Sequence, residues 1–353
     1  PEQEAQPRPP PGPKSPFHGG AAWPGMDLDT LKEQWRGFKA PVTPIRPIRT
    51  PDPLPDGARF ITGSYTNPAG TRSYKLYVPS GYAGQPLPLV VMLHGCTQDP
   101  DDFAAGTRMN ELAEETPCLV LYPAQAQTAN GSKCWNWFKA TDQERDQGEP
   151  SLIAGMTRQV GDIHAVDPDR IYVAGLSAGG AMAVTMGVSY PELYAAVGIH
   201  SGLPHGVACD LPSALAAMQN GGASPRGRQE STGTLPFPVI VFHGDRDTTV
   251  HPCNGDQIIS QCAQPAPARP AQASTDPKVT VQRGQEPKGH AYTRTIHHRP
   301  GGRPLAEHWL VHGAGHAWAG GSSRGPYTDP KGPDASRQML RFFLEHPRGG
   351  LTV

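Results

Sequence analysis

Buried apolar runs that alternate with amphipathic stretches place this sequence in the α/β class, with a mostly parallel sheet covered by helices on both faces. Three segments carry that reading. Leu87-Pro88-Leu89-Val90-Val91-Met92-Leu93 and Pro238-Val239-Ile240-Val241-Phe242 lack polar alternation, as strands buried on both faces do. Between them, Arg170-Ile171-Tyr172-Val173-Ala174 runs into Gly175-Leu176-Ser177-Ala178-Gly179-Gly180 and then into the helix-compatible stretch Ala181 to Tyr190, a strand, a tight turn and a helix.

The elements follow in order. Residues 1–56 read as a proline-rich tail and linker. Pro9-Pro10-Pro11-Gly12-Pro13 favours extended backbone, and Asp27 to Lys39 has Leu31, Trp35 and Phe38 at the spacing of a short amphipathic helix. Residues 57–348 are long enough for one large domain. It opens with an antiparallel pair, Arg59 to Thr62 and Tyr74 to Val78, around the turn Asn67-Pro68-Ala69-Gly70. After the strand ending at Leu93, a single helix is expected from Asp101 to Glu115, with Phe103, Met109 and Leu112 on one face. Cys118 to Tyr122 is the next strand, and Ser151 to Ala165 a helix with Ser151 as its N-cap. Ala195 to His200 is a strand, Gly221 to Gly233 a polar insertion, and Pro265 to Pro277 a loop without periodicity. Trp309-Leu310-Val311 is the last core strand, and Asp334 to Leu344 closes the domain as a helix with Met339, Leu340 and Phe343 inward.

Composition narrows the function classes. Lys and Arg total 31 against 32 Asp and Glu, a formal net charge of −1, with no basic cluster interleaved with aromatics. A nucleic-acid or polyanion partner is therefore not expected. No apolar stretch approaches the roughly 20 residues that span a bilayer. The pairs His297-His298 and His200/His205 lack a cysteine or carboxylate at ligand spacing, so neither a metal nor another cofactor is expected. The first 24 residues show no apolar core of a secretion leader, yet the even count of six cysteines fits an oxidising compartment and sets an extracellular or periplasmic expectation.

Ser177 stands where a Gly-x-Ser-x-Gly turn exposes a nucleophile above a sheet. A serine hydroxyl needs a base, and the base needs an acid to hold its tautomer. The strand ending at Phe242 is followed by His243-Gly244-Asp245-Arg246-Asp247, so Asp245 and Asp247 compete as the acid. The last strand is followed by His312-Gly313-Ala314-Gly315-His316. His316 is the better base, because glycines let its loop bend back, and His312 is the rival beside the strand end. The chain order Ser, Asp, His is that of an α/β-hydrolase. The oxyanion of a tetrahedral intermediate requires preorganised N–H donors. Ala178, next to the nucleophile, supplies one, and the turn His94-Gly95-Cys96 supplies the other from Cys96.

Taken together, the sequence resembles the esterases of the poly(3-hydroxybutyrate) depolymerase type over residues 58 to 347. The resemblance rests on Tyr74-Lys75-Leu76-Tyr77-Val78-Pro79, Leu93-His94-Gly95-Cys96-Thr97-Gln98, Cys134-Trp135-Asn136-Trp137-Phe138, Gly175 to Gly180, His243-Gly244-Asp245-Arg246-Asp247 and Gly313-Ala314-Gly315-His316-Ala317-Trp318, all in order. It implies an α/β-hydrolase fold and hydrolysis of carboxylic esters. The substrates implied are 3-hydroxybutyrate polyester, its oligomers or short-chain esters, with feruloyl and acetyl-xylan esters as the alternative. The family pattern His-Gly-x-x-Asp-x-x-Val lands on Asp247 and Val250, leaving Asp245 as a turn residue. The resemblance further implies that Cys96 pairs with Cys134, while Cys118, inside an apolar strand, reads as a buried thiol. An ester site also needs apolar walls, for which Trp135, Trp137 and Trp318 are the candidates. A non-catalytic binding protein on the same fold is the remaining reading, and the presence of all three triad residue types argues against it.

Overall fold

A computed structural model describes residues 53–221, 237–263, 278–299 and 302–349, all within the unit Asp52–Val353. The expected helix at Asp27 to Lys39, the insertion beyond Gly221 and the loop from Pro265 to Pro277 lie outside them.

Ten strands form one sheet, in the order β1-β2-β4-β3-β5-β6-β7-β10-β9-β8. The core is parallel: β4 (Leu119–Pro123), β3 (Leu87–Leu93), β5 (Val166–Leu176), β6 (Ala196–His200), β7 (Val239–Gly244) and β10 (Pro304–Val311). Every residue of β3, β4, β6 and β7 is buried, which explains the apolar runs that make up most of them. Antiparallel pairs finish the two edges. β1 (Arg59–Asn67) and β2 (Gly70–Val78) lie at one, β9 (Ala291–His298) and β8 (Val279–Gln285) at the other. Ring stacking locks helix to sheet, with Tyr172 of β5 lying 4.9 Å from Phe343 of α7 (Ala335–Glu345) at an interplanar angle of 5°.

Two helices depart from expectation. The stretch from Asp101 to Glu115 is not one helix but two, α1 (Pro100–Thr107) and α2 (Met109–Glu115), broken at Arg108 with φ 56° and ψ 24°. At the break the Arg108 guanidinium reaches Asp334, the N-cap of α7, at 3.1 Å. The helix α3 (Gly148–Ile163) starts ahead of Ser151, with Gln147 as N-cap. Ser151 lies inside the first turn and donates to Gly148 O, while Asp142 Oδ1 accepts from the Glu149 N–H. The chain adds α5 (Leu211–Asn220) and α6 (Cys253–Ala263), and α4 (Ala178–Ser189) follows β5 directly.

Candidate active site

Five adjacent parallel strands, β3, β5, β6, β7 and β10, end at the same edge of the sheet, where open α/β sheets bind ligands. Their carboxyl ends deliver His94 to Cys96, Ser177, His200, Asp245 with Asp247, and His312 with His316.

Ser177 occupies the turn between β5 and α4 at φ 57° and ψ −119°. A residue with a Cβ is strained there. From Ile171 to Gly187 it is the one residue that is not buried. Its neighbours must be small. A Cβ on Gly175 would lie 2.3 Å from the Gly179 backbone, and one on Gly179 would lie 2.1 Å from Leu93 O. The same closeness brings the amino end of α4, with Ala178 as its first residue, against the end of β3.

The His94–Cys96 turn is fixed from below. His94 is 1 % exposed, and burial pushes its imidazole down to about pKa 4. It is therefore neutral, with Nδ1–H donating to Gly95 O (2.7 Å) and Nε2 accepting from the Gln125 N–H (3.1 Å). Cys96 and Cys134 form a disulfide, and Cys118 is a buried free thiol. Sequence reasoning missed the carboxylate under this assembly. Glu149 is 3 % exposed and accepts from both Asn136 N and Asn136 Nδ2 at 2.7 Å. Gln125 Nε2 also donates to it and, at 2.9 Å, to Cys134 O. Burial, with Asp142 nearby, pushes Glu149 above the usual carboxylate range.

The two acids and two histidines sort into two pairs. His316 Nδ1–H donates to Asp247 Oδ2 at 2.7 Å. Asp247 Oδ1 accepts from Thr249 N and Val250 N, each at 2.9 Å. His243 Nε2, 2.8 Å from Val250 O, stands 3.5 Å from Asp247 Oδ2. Burial alone would raise the Asp247 pKa, but hydrogen bonds from the two histidines and the backbone hold it far below the usual carboxylate range. Asp245 is not merely a turn residue and His312 does not point into the strand end. They bind each other at 2.9 Å, and His312 Nε2 lies 2.9 Å from Thr293 Oγ1. This second pair is solvated, with side chains 40 % and 34 % exposed, against 13 % and 0 % for His316 and Asp247. Backbone bonds from Asp245 N to Val311 O (3.1 Å) and Arg246 N to Ala314 O (3.0 Å) zip the acid-bearing and histidine-bearing loops together.

The three tryptophans are buried. Trp135 and Trp318 are 0 % and 1 % exposed. Trp135 Nε1–H donates to His94 O (3.1 Å) and Trp318 Nε1–H to Ser336 Oγ (3.0 Å), so both brace the loops from inside. Trp137, 7 % exposed, packs edge-on against Phe138. His200, weighed in the sequence only as a metal ligand, is 1 % exposed and held neutral by burial, at a pKa of about 3. Among the described residues no group of three His, Cys, Asp or Glu side chains is placed to hold a metal ion, and no helix is long and apolar enough to cross a membrane.

Residues 72–267 match the family described as Esterase PHB depolymerase. Poly(3-hydroxyalkanoate) depolymerase C of Paucimonas lemoignei is 31% identical over 259 residues, 71% of this chain and 59% of that protein. Feruloyl esterase B of Thermothelomyces thermophilus is 29% identical over 57% of this chain and 72% of its own length. A probable acetylxylan esterase A of Aspergillus fumigatus is likewise 29% identical, over 58% of this chain and 57% of its own. The chain thus spans less than two thirds of two of these three curated relatives. Among solved structures, an acetyl xylan esterase from Aspergillus awamori superimposes with a TM-score of 0.59 at 18% identity, over 81% of this chain and 98% of that one, a likeness of fold. With a match across more than half its length and a relative of this closeness, the chain belongs to the Esterase PHB depolymerase family, built on the α/β-hydrolase fold.

Proposed function

We propose that the chain is a serine esterase that hydrolyses carboxylic esters through an acyl-enzyme on Ser177. The observation that carries this reading is the largely buried His316–Asp247 pair, at 2.7 Å, on the loops that follow the strands beyond the one ending in the partly exposed, strained Ser177. His316 Nε2 takes the Ser177 Oγ proton as the oxygen attacks the ester carbonyl. Asp247 stabilises the imidazolium and fixes its tautomer. The N–H groups of Ala178 and Cys96 receive the oxyanion, aided by the amino-terminal dipole of α4. Collapse breaks the C–O bond, and His316 returns its proton to the leaving alkoxide. Water, deprotonated by the same histidine, then releases the acid. His312 is poorly suited to this role because both of its nitrogens already have partners.

The substrates proposed are 3-hydroxybutyrate polyester, its oligomers or short-chain esters, following the depolymerase relative. The feruloyl and acetylxylan relatives keep decorated plant polysaccharide as the second reading. The Cys96–Cys134 disulfide fits an extracellular or periplasmic setting. The test is a panel of p-nitrophenyl esters, 3-hydroxybutyrate oligomers, methyl ferulate and acetylated xylan run on wild type and Ser177→Ala. Hydroxybutyrate turnover that leads the panel and falls by roughly 10⁴-fold in the variant is expected. Full activity in folded Ser177→Ala defeats the mechanism, and a panel led by ferulate or acetylxylan replaces the substrate assignment.

A further inference from the structure

His200 touches both halves of the proposed machinery. It is the last residue of β6, the strand that lies between the nucleophile strand β5 and the acid strand β7. Its carbonyl accepts the Ser177 N–H at 2.9 Å. Its ring Nε2 accepts the Ala319 N–H at 3.0 Å, three residues beyond His316. A backbone N–H only donates, so Nε2 is unprotonated and the ring hydrogen sits on Nδ1, which faces Ser201 Oγ at 3.2 Å. The imidazole is clamped between Trp318, at 5.2 Å and 26°, and Phe242, at 5.9 Å and 13°. The next residue, Ser201, is fully buried and carries a φ of 48°, backbone strain of the kind that persists where surrounding contacts over-determine a conformation.

We propose that His200 is a positioning residue that sets the placement of the His316 loop relative to Ser177, through one backbone acceptor for the nucleophile turn and one ring acceptor for the base-bearing segment. The inference rests on the esterase reading and deepens it. His200 touches no substrate in this account. It works because a neutral imidazole is rigid, spans the gap and offers a single lone pair at Nε2. Burial keeps that lone pair free, so the ring does not compete with His316 for the catalytic proton. A misplacement of about 1 Å at the reacting centre costs up to about 10²-fold in rate, and the Nε2 contact controls a loop only three residues from the base.

The test compares two amides in the full chain. The Gln side-chain oxygen reaches about as far as Nε2, whereas the Asn oxygen stops about as far out as Nδ1. His200→Gln is therefore expected to retain kcat within about fivefold of wild type, and His200→Asn to lose roughly 10- to 100-fold in kcat with KM within about twofold. His200→Phe, which keeps the stacking on Trp318 and Phe242 but has no acceptor, is expected to follow Asn. Equal kcat for the Gln and Asn variants, or a loss confined to KM or to thermal stability, overturns the role of the Nε2 contact. Ser177→Ala is run beside them. Were it fully active, the Ser177 acyl-enzyme mechanism on which this inference rests would fall. Were it inactive while all three His200 variants turn over normally, only the positioning role would fall.

Discussion

Replacing Asp247 by Asn separates the two acid candidates, and its effect follows from the four donors around one carboxylate. Oδ1 receives Thr249 N and Val250 N at 2.9 Å, and Oδ2 receives His316 Nδ1 at 2.7 Å, with His243 Nε2 at 3.5 Å. An amide has one oxygen. If its NH₂ turned toward the two backbone N–H groups, both would lose their acceptor, and the buried Val250 N–H alone would cost about 1–3 kcal/mol. The oxygen therefore stays with the backbone and the NH₂ faces His316. Two donors then confront each other, and His316 relieves the clash by moving its proton to Nε2. That tautomer cannot take the Ser177 proton. A wrong tautomer of this kind costs on the order of 10⁴ in kcat, about 5 kcal/mol of transition-state stabilisation. Asp245→Asn disturbs a solvated pair whose side chains are 34 % and 40 % exposed. Such pairs are worth about 0–1 kcal/mol, and activity should stay within about threefold. Both variants are assayed for kcat/KM on p-nitrophenyl butyrate beside their melting temperatures. Comparable losses, or a larger loss in Asp245→Asn, would refute the assignment of Asp247 as the acid.

Other outcomes follow from the same contacts. Burial lowers the folded pKa of His94 to about 4 and of His200 to about 3, below the roughly 6.5 of an unfolded chain. As pH drops below about 6.5 the unfolded chain gains protons that the folded one refuses, so stability should fall by up to about 1.4 kcal/mol per pH unit for each histidine until the folded values are reached. Asp247 acts in the same sense in a more acidic window. Its depressed pKa gives stability that is complete above pH ~4 and is lost only at lower pH. A melting temperature that does not change between pH 7 and pH 5 would contradict the histidine argument. The Cys96–Cys134 bridge closes a separation of 38 residues, worth about 4 kcal/mol by the loop-entropy relation. The double Ser variant should melt well below wild type in urea titrations and lose activity as the turn bearing Cys96 loosens. Glu149→Leu leaves Asn136 N and Nδ2 without this acceptor and removes the ion-pair partner of the buried Arg72, and should lower unfolding free energy by about 3 kcal/mol or more. A shift below about 1 kcal/mol would show that the network is replaceable.

How much could be read from sequence depended on whether the determining contacts were local. The bounds of β3, Leu87 to Leu93, are those of an apolar run, because a strand buried on both faces has no other pattern. The turn at Ser177 was visible because strand, small residues and helix are contiguous. The helix break at Arg108 was hidden, since the residue there is neither glycine nor proline and its side chain's partner, Asp334, is 226 residues away. The β8–β9 hairpin was missed because it alternates weakly, with Ile296 its one buried residue. At the site, two acids two residues apart and two histidines four apart allow several pairings. Only the crossing of the two loops assigns Asp245 to His312 and Asp247 to His316. Glu149 meets Asn136 and Gln125, and His200 meets the Ala319 and Ser177 N–H groups, contacts between distant segments that no spacing in the sequence marks.

The conformation of Ser177 bears on how this protein would respond to artificial selection. At φ 57° and ψ −119° a side chain costs about 1–3 kcal/mol that glycine would not incur. The position to which the proposed mechanism assigns the nucleophilic hydroxyl is therefore one where the fold is better served by a hydrogen atom. Library selection on heat resistance alone would enrich glycine at residue 177 and return well-folded, catalytically silent molecules. A campaign for a more durable catalyst would have to score turnover in every round.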